Sequence, residues 1–157
     1  MPNAFEQGLL RYLTPQQLAI IQEQHIGIGG AGGLGSNAAM ILVRSGFKHL
    51  EILDQDAIDA SNLNRQQYFL HEIGQDKVAA LKKRLLEINP DAEIITHKAA
   101  WTPESGDRYF KNCSIGIEAF DQTPGKHQFV DFYHDRVRFM VSGVGMAGLM
   151  KKQPMTV

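Results

Sequence analysis

The chain has 157 residues, 43% hydrophobic and 21% charged, a balance that predicts one globular domain around a single core and excludes a disordered or fibrous chain. A formal net charge of −1 supplies no broad positive field, so nucleic acid is not expected as a partner. One cysteine, Cys113, excludes an internal disulfide and the paired thiolates of a zinc site, and no apolar run nears the roughly 20 residues that cross a bilayer, which points to the cytoplasm.

Thr14-Pro15-Gln16-Gln17 has the form of a capping box and predicts a helix from Pro15 to Gln24 that buries Leu18 and Ile21. His25 to Gly30 reads as a short strand. A helix from Gly33 to Ser45 follows, with Ala38, Ala39, Ile41 and Leu42 expected on the sheet, and Gly46 stops it. His49 to Leu53 is a compact apolar strand closed by Asp54. Gln75 to Asn89 is the clearest helix: Val78, Leu81, Leu85 and Ile88 recur at helical spacing, and Lys82 to Arg84 read as its solvated face. Glu93 to His97 and Ser114 to Phe120 read as strands, Phe129, Val130 and Tyr133 suit a helix, and Val137 to Val141 a fifth strand. Strands alternating with helices predict an α/β, Rossmann-like, doubly wound and mainly parallel sheet with helices on both faces. Ligands bind such sheets at the carboxyl ends of the strands. Gly30, Asp54 and Asp121 each fall at such an end.

Gly30-Ala31-Gly32-Gly33-Leu34-Gly35 matches G-x-G-x-x-G after a strand and at the start of a helix. Backbone there can approach a phosphate closely, and the helix N-terminus supplies free N–H groups. Asp54 lies 19 residues after Gly35, where a carboxylate can accept from both hydroxyls of a ribose. NAD, FAD and ATP all carry that ribose, so a dehydrogenase fits equally well to this point. The segment after Asp54 favours ATP. It carries Asn62, Asn64 and Arg65, and Lys77 follows in the first turn of the clearest helix. A cation at a helix N-terminus opposes the macrodipole, by about 0.3–1 kcal/mol, unless an anion lies nearby. Arg65 offers a bidentate fork and Lys77 a point charge, a pair suited to a triphosphate.

The runs GAGGLGS (Gly30 to Ser36), LDQDAIDASNLNRQ (Leu53 to Gln66) and GQDK (Gly74 to Lys77) together resemble the adenylation domain shared by ThiF, MoeB and the ubiquitin-activating enzymes. The resemblance spans Gln24 to Gly148 and makes residues 1–157 a single ThiF-type ATP-binding domain, short at its C-terminus. Glu118-Ala119-Phe120-Asp121 and the run from Ser142 to Gly148 are more like the short ThiF-like proteins than like MoeB.

The resemblance implies that Gly30, Gly32, Gly33 and Gly35 bind the nucleotide and Asp54 the ribose. Asn62, Asn64, Arg65 and Lys77 would hold the triphosphate, and Asp121 a magnesium ion. Arg65, Lys77 and Asp121 would then carry catalysis, with ATP and Mg2+ as cofactors and no zinc. The implied reaction is attack of a carboxylate on the α-phosphate with release of pyrophosphate. That chemistry needs charge neutralisation and alignment rather than a general base. The first acceptor the resemblance suggests is the C-terminal glycine of a small ubiquitin-like sulfur carrier ending in Gly-Gly, as in thiamine thiazole synthesis, handled by a homodimer. The alternatives are a molybdopterin carrier, a tRNA-modifying dehydratase step, a nucleotide-binding module without catalysis, and an NAD dehydrogenase. Gln122 departs from the asparagine that usually follows the metal aspartate. Cys113 reads as a packing residue, the six histidines as structural or exposed, and Arg11 as the nearest candidate for an arginine supplied to a partner subunit.

Overall fold

The computed structural model describes residues Met1–Gly143. Five strands form one sheet: β1 (His25–Gly29), β2 (His49–Leu53), β3 (Glu93–His97), β4 (Ile115–Glu118) and β5 (Phe139–Ser142). Their order is β3-β2-β1-β4-β5 and every pairing is parallel. The expected doubly wound α/β architecture is therefore present. Strand order reverses between β1 and β4, which opens a crevice at their carboxyl ends. The Val144 to Gly148 part of the second glycine-rich run and the C-terminal Met150 to Val157 lie outside the described residues.

Helices α1 (Ala4–Leu9), α2 (Pro15–Gln22), α3 (Gly33–Arg44), α4 (Lys77–Ile88) and α5 (Thr123–Tyr133) surround the sheet. The Thr14 capping box forms in full: its side chain accepts from the Gln17 N–H while Gln17 reaches back to the Thr14 N–H. Helix α1 was not anticipated. Asn3 caps it, and the Asn3 side chain also donates to Asn89 and Asp91 at the far end of α4. Leu9 and Leu18 face Gly46, just past the end of α3, so α1 and α2 sit at the end of the sheet opposite the crevice. Arg11 lies there too, about 18 Å of helix rise from the start of α3.

The two faces of the sheet are packed differently. Ile26, Ile28, Leu50, Ile52 and Ile94 meet Ala39 and Val43 of α3 and Val78, Leu81 and Leu85 of α4 in an aliphatic layer. On the other face Trp101, Tyr109, Phe110, Phe129 and Tyr133 form an aromatic cluster with Leu53 and Cys113. Gly27 and Gly29 present no side chain on that face, and rings of Phe110 and of Phe120 and Phe129 lie directly against them.

Two packing expectations are corrected. Ile41 is 64% exposed, and Val43 takes the buried position. Ile41 is two residues from Ala39, about 200° around a helix, so the two cannot share a face. Arg84 is not part of a solvated face either. It is 9% exposed, donates to both oxygens of the buried Glu72, and stacks 3.8 Å from the Phe69 ring centroid.

Candidate nucleotide site

The glycine turn separates into positions the fold needs and positions it does not. Gly30 has φ +101°, and a Cβ there would stand 2.7 Å from the Ala119 carbonyl oxygen. A Cβ at Gly35 would collide with the Gly30 carbonyl, so this glycine lets α3 close onto the turn. Gly32 and Gly33 are under no such constraint. The nearest atoms to a Cβ at either would be 3.6 Å away, from Gln66 at Gly32 and from Arg65 at Gly33, an ordinary contact distance. Their bare backbone instead leaves room for a ligand to approach. Gly32 caps α3 without a side-chain hydrogen bond, so the first-turn N–H groups keep their donors for an anion.

Asp54 is tied into the same turn. Its Oδ2 accepts from the Ala31 N–H and its Oδ1 from the Asp56 N–H, both at 2.7 Å. The buried Tyr68 hydroxyl donates to the Ala31 carbonyl at 2.6 Å, which fixes the turn from the other side. Burial pushes the Asp54 carboxyl above its ordinary range, against the pull of its two backbone donors and the Lys77 charge. A carboxylate has about four lone-pair sites. With two used, Asp54 retains capacity for the two hydroxyls of a ribose.

Asn37 joins the arginine segment to the glycine turn. Its side-chain amide donates to the carbonyls of Gly33 (2.6 Å) and Arg65 (2.8 Å), and its Oδ1 accepts from Gln67 at 2.7 Å. The Arg65 stem thereby lies over Gly33, and its guanidinium donates to the Ser61 carbonyl and to Asn64 Oδ1. Asn64 therefore braces Arg65. Asn62 is committed locally, since its Oδ1 accepts from the Asp59 N–H and closes the 3-10 turn Ala60–Asn62. Lys77 is 6% exposed and pairs with Asp56 at 3.3 Å. Burial of an ammonium this far from water is offset only by a neighbouring anion. Gln66 is 8% exposed, and its Oε1 has no hydrogen-bond partner among the described residues. Beneath a turn with open backbone, that orphaned acceptor fits a site that a bound donor or water completes.

Asp121 follows β4, exposed, and makes no side-chain hydrogen bond to the described residues. It does not cap α5: Gln122 holds that position, without a side-chain cap bond. No cluster of three or more His, Cys, Asp or Glu side chains suited to a metal occurs among the described residues. A lone carboxylate still fits magnesium, which binds one or two carboxylates together with phosphate oxygens and water. Cys113 is buried, and desolvation with the nearby Glu51 charge pushes its thiol up to about 12. That thiol stays protonated at neutral pH, as a packing residue should. A cavity of about 390 Å3 lies elsewhere, beside Tyr109, Phe110, Phe132 and Tyr133, and includes none of the groups above.

Sequence reasoning missed Asn37, Asp56, Gln66 and Tyr68. Gln66 stood in the resembling run itself. So did Asp56, the second aspartate of that run; Asn37 had a weaker signal, an amide one turn inside a glycine-led helix, and Tyr68 had none. The residues brought together are thus the glycine turn, Asp54, Arg65 with its Asn64 brace, and Lys77 through its charge on Asp54. Asp121 follows the neighbouring strand β4, at the same end of the sheet. The chain belongs to the ThiF family. Residues 6–149 match the ThiF family model.

Among its relatives, the tRNA threonylcarbamoyladenosine dehydratase of Bacillus subtilis is 37% identical over 94 residues, covering 59% of this chain and 37% of that protein. Dehydratase 1 of Saccharomyces cerevisiae is 32% identical over 153 residues, 92% of this chain and 36% of that one. The E. coli tRNA N6-threonylcarbamoyladenosine dehydratase, solved in complex with ATP, superposes with a TM-score of 0.84 at 26% identity, over 92% of this chain and 60% of that chain. The chain thus spans little more than a third of the length of these two curated relatives.

Proposed function

We propose that this chain is the ATP-binding part of an enzyme that activates a carboxylate by transferring AMP to it. The carrying observation is the bare Gly32–Gly33 backbone lying between the Arg65 stem and the orphaned Gln66, one hydrogen bond from Asp54. In this reading Asp54 receives the ribose hydroxyls, and the α3 N-terminus, Arg65 and Lys77 receive the phosphates. Asp121 would hold a magnesium ion, which supplies charge neutralisation on the phosphate oxygens. The acceptor carboxylate oxygen forms a bond to the α-phosphorus while the bond to the bridging oxygen breaks and pyrophosphate leaves. Lys77 exchanges Asp56 for the phosphates as they enter.

The acceptor proposed is the threonyl carboxylate of threonylcarbamoyladenosine in tRNA, because relatives from two bacteria and from yeast carry dehydratase names. This reverses the order suggested by the resemblance, which put a thiamine sulfur carrier first. The net charge of −1 describes only this chain, and a longer enzyme can hold tRNA with surface outside it. A protein acceptor remains the second reading, favoured by the adenylyltransferase and sulfurtransferase uba4 of Aspergillus terreus, 34% identical over 120 residues.

The test offers the protein ATP and magnesium with tRNA bearing threonylcarbamoyladenosine, or with a carrier ending in Gly-Gly, and measures pyrophosphate. Release with the tRNA alone is expected. Release with the carrier alone transfers the activity to the second reading. Stabilisation by NAD and not by ATP in a melting experiment overturns the ATP reading itself, since a saturating ligand contributes about 2.7 kcal/mol at a hundredfold excess over its Kd.

A further inference from the structure

Glu118 is a wholly buried carboxylate at the end of β4. It is in register with Gly29 of β1 on one side and Ser142 of β5 on the other. Its Oε1 accepts from the Phe120 N–H at 2.7 Å and from Lys126 Nζ at 3.0 Å, and its Oε2 accepts from the Ser142 hydroxyl at 2.6 Å. Lys126 Nζ donates a second time, to the Phe120 carbonyl at 2.6 Å. Both backbone polar groups of Phe120 are therefore held, the N–H by Glu118 and the carbonyl by Lys126. Phe120 immediately precedes Asp121.

This arrangement is an uneconomical way to stabilise a fold. Lys126 is the fourth residue of α5, where a cation opposes the helix dipole. An ion pair with one partner buried and the other half-buried recovers little more than its desolvation cost, and an apolar pair of similar volume does as well. What the pair does supply is a fixed direction for the two peptide units on either side of Phe120, the second of which carries the Asp121 N–H. The Ser142 hydroxyl and the Gly143 N–H, which donates to the Glu118 carbonyl at 3.0 Å, fasten the end of β5 to the same point. Asp121 has no side-chain bond of its own among the described residues, so its orientation depends on the backbone before it.

We propose that Glu118 and Lys126 are positioning residues that orient Asp121 toward the nucleotide phosphates, a role that rests on the ATP reading above. The pair touches neither ATP nor acceptor and works through the Phe120 backbone. The experiment is a double-mutant cycle on pyrophosphate release. Lys126→Met should lower kcat by about 10- to 100-fold, the scale of a small misplacement at a reacting centre. The KM for ATP should stay within about threefold of the parent. Lys126→Arg should restore most of the rate. In an Asp121→Ala background Lys126→Met should cost nothing further, because its effect passes through the missing carboxylate. A loss in that background equal to the loss in the parent overturns the proposal and leaves the pair as part of the core. Glu118→Gln keeps the acceptor for Phe120 while removing the charge, and carries the same cycle if Lys126→Met does not fold. Absence of pyrophosphate release by the parent protein overturns both readings. Additive losses in an active protein overturn this one alone.

Discussion

Asp54 follows β2 with both carboxylate oxygens engaged by backbone N–H groups, whereas Asp121 follows β4 exposed and without a side-chain bond among the described residues. The first is built into the turn it serves. The second is presented by a buried frame and left open. A carboxylate whose bonds exist before the ligand arrives suits recognition of a group that does not change, such as a ribose. One whose remaining valence is unfilled suits charge that must be met during transfer. In the function proposed above the two strand ends divide binding from chemistry, and each can be challenged separately.

The largest effect should come from the open side. Asp121→Ala should cut pyrophosphate release by at least ~100-fold, because a metal aimed at the transferring phosphate supplies several kcal/mol and each 1.36 kcal/mol is tenfold. The melting temperature should hardly move, since Asp121 makes no cap bond. A destabilised variant with near-normal release would erase the contrast. Next in size, Arg65→Ala should weaken ATP by about 10- to 100-fold, the range for losing hydrogen bonds to a charged group. AMP should be weakened about twofold at most, and calorimetry with the two nucleotides decides this. Equal losses would move Arg65 away from the triphosphate end.

Asp54→Asn should weaken ATP and AMP alike, by roughly tenfold, because both carry the ribose and each hydrogen bond to a charged partner contributes about 1.5–3 kcal/mol. A loss confined to ATP would break the assignment. The pH dependence sharpens it. Asp54 accepts fully only when ionised, and its carboxyl titrates above the ordinary aspartate value. Affinity for AMP should therefore fall as pH drops through that raised value, higher than a solvent-exposed aspartate would give, and Asp54→Asn should abolish this limb. The smallest contrast lies within the turn. Gly30→Ala forces a side chain into the left-handed region and should cost about 1–2 kcal/mol of stability, whereas Gly32→Ala should leave the melting temperature near the parent and weaken ATP. Equal destabilisation by both would make the whole turn structural.

The amino-acid sequence determined what is local. The Thr14 cap, the His49–Leu53 and Glu93–His97 strands, and the Gly30-to-Gly35 turn depend on neighbours within a few residues, and each appears where expected. Alternation of strands and helices then left few topologies, and the parallel sheet followed. A motif named Asp54, Arg65 and Lys77, and the first two meet at the glycine turn. Tertiary structure decided how those charges are held. Lys82 to Arg84 looked like one solvated run, yet Arg84 is buried on Glu72, twelve residues upstream, beneath Phe69. Lys77 is buried beside Asp56, Asn37 bridges two distant carbonyls, and Glu118 gathers donors from α5 and β5. Periodicity shows which residues share a face but not what covers that face. A charge can be buried only beside a partner, and that partner is chosen by packing between segments far apart in the chain.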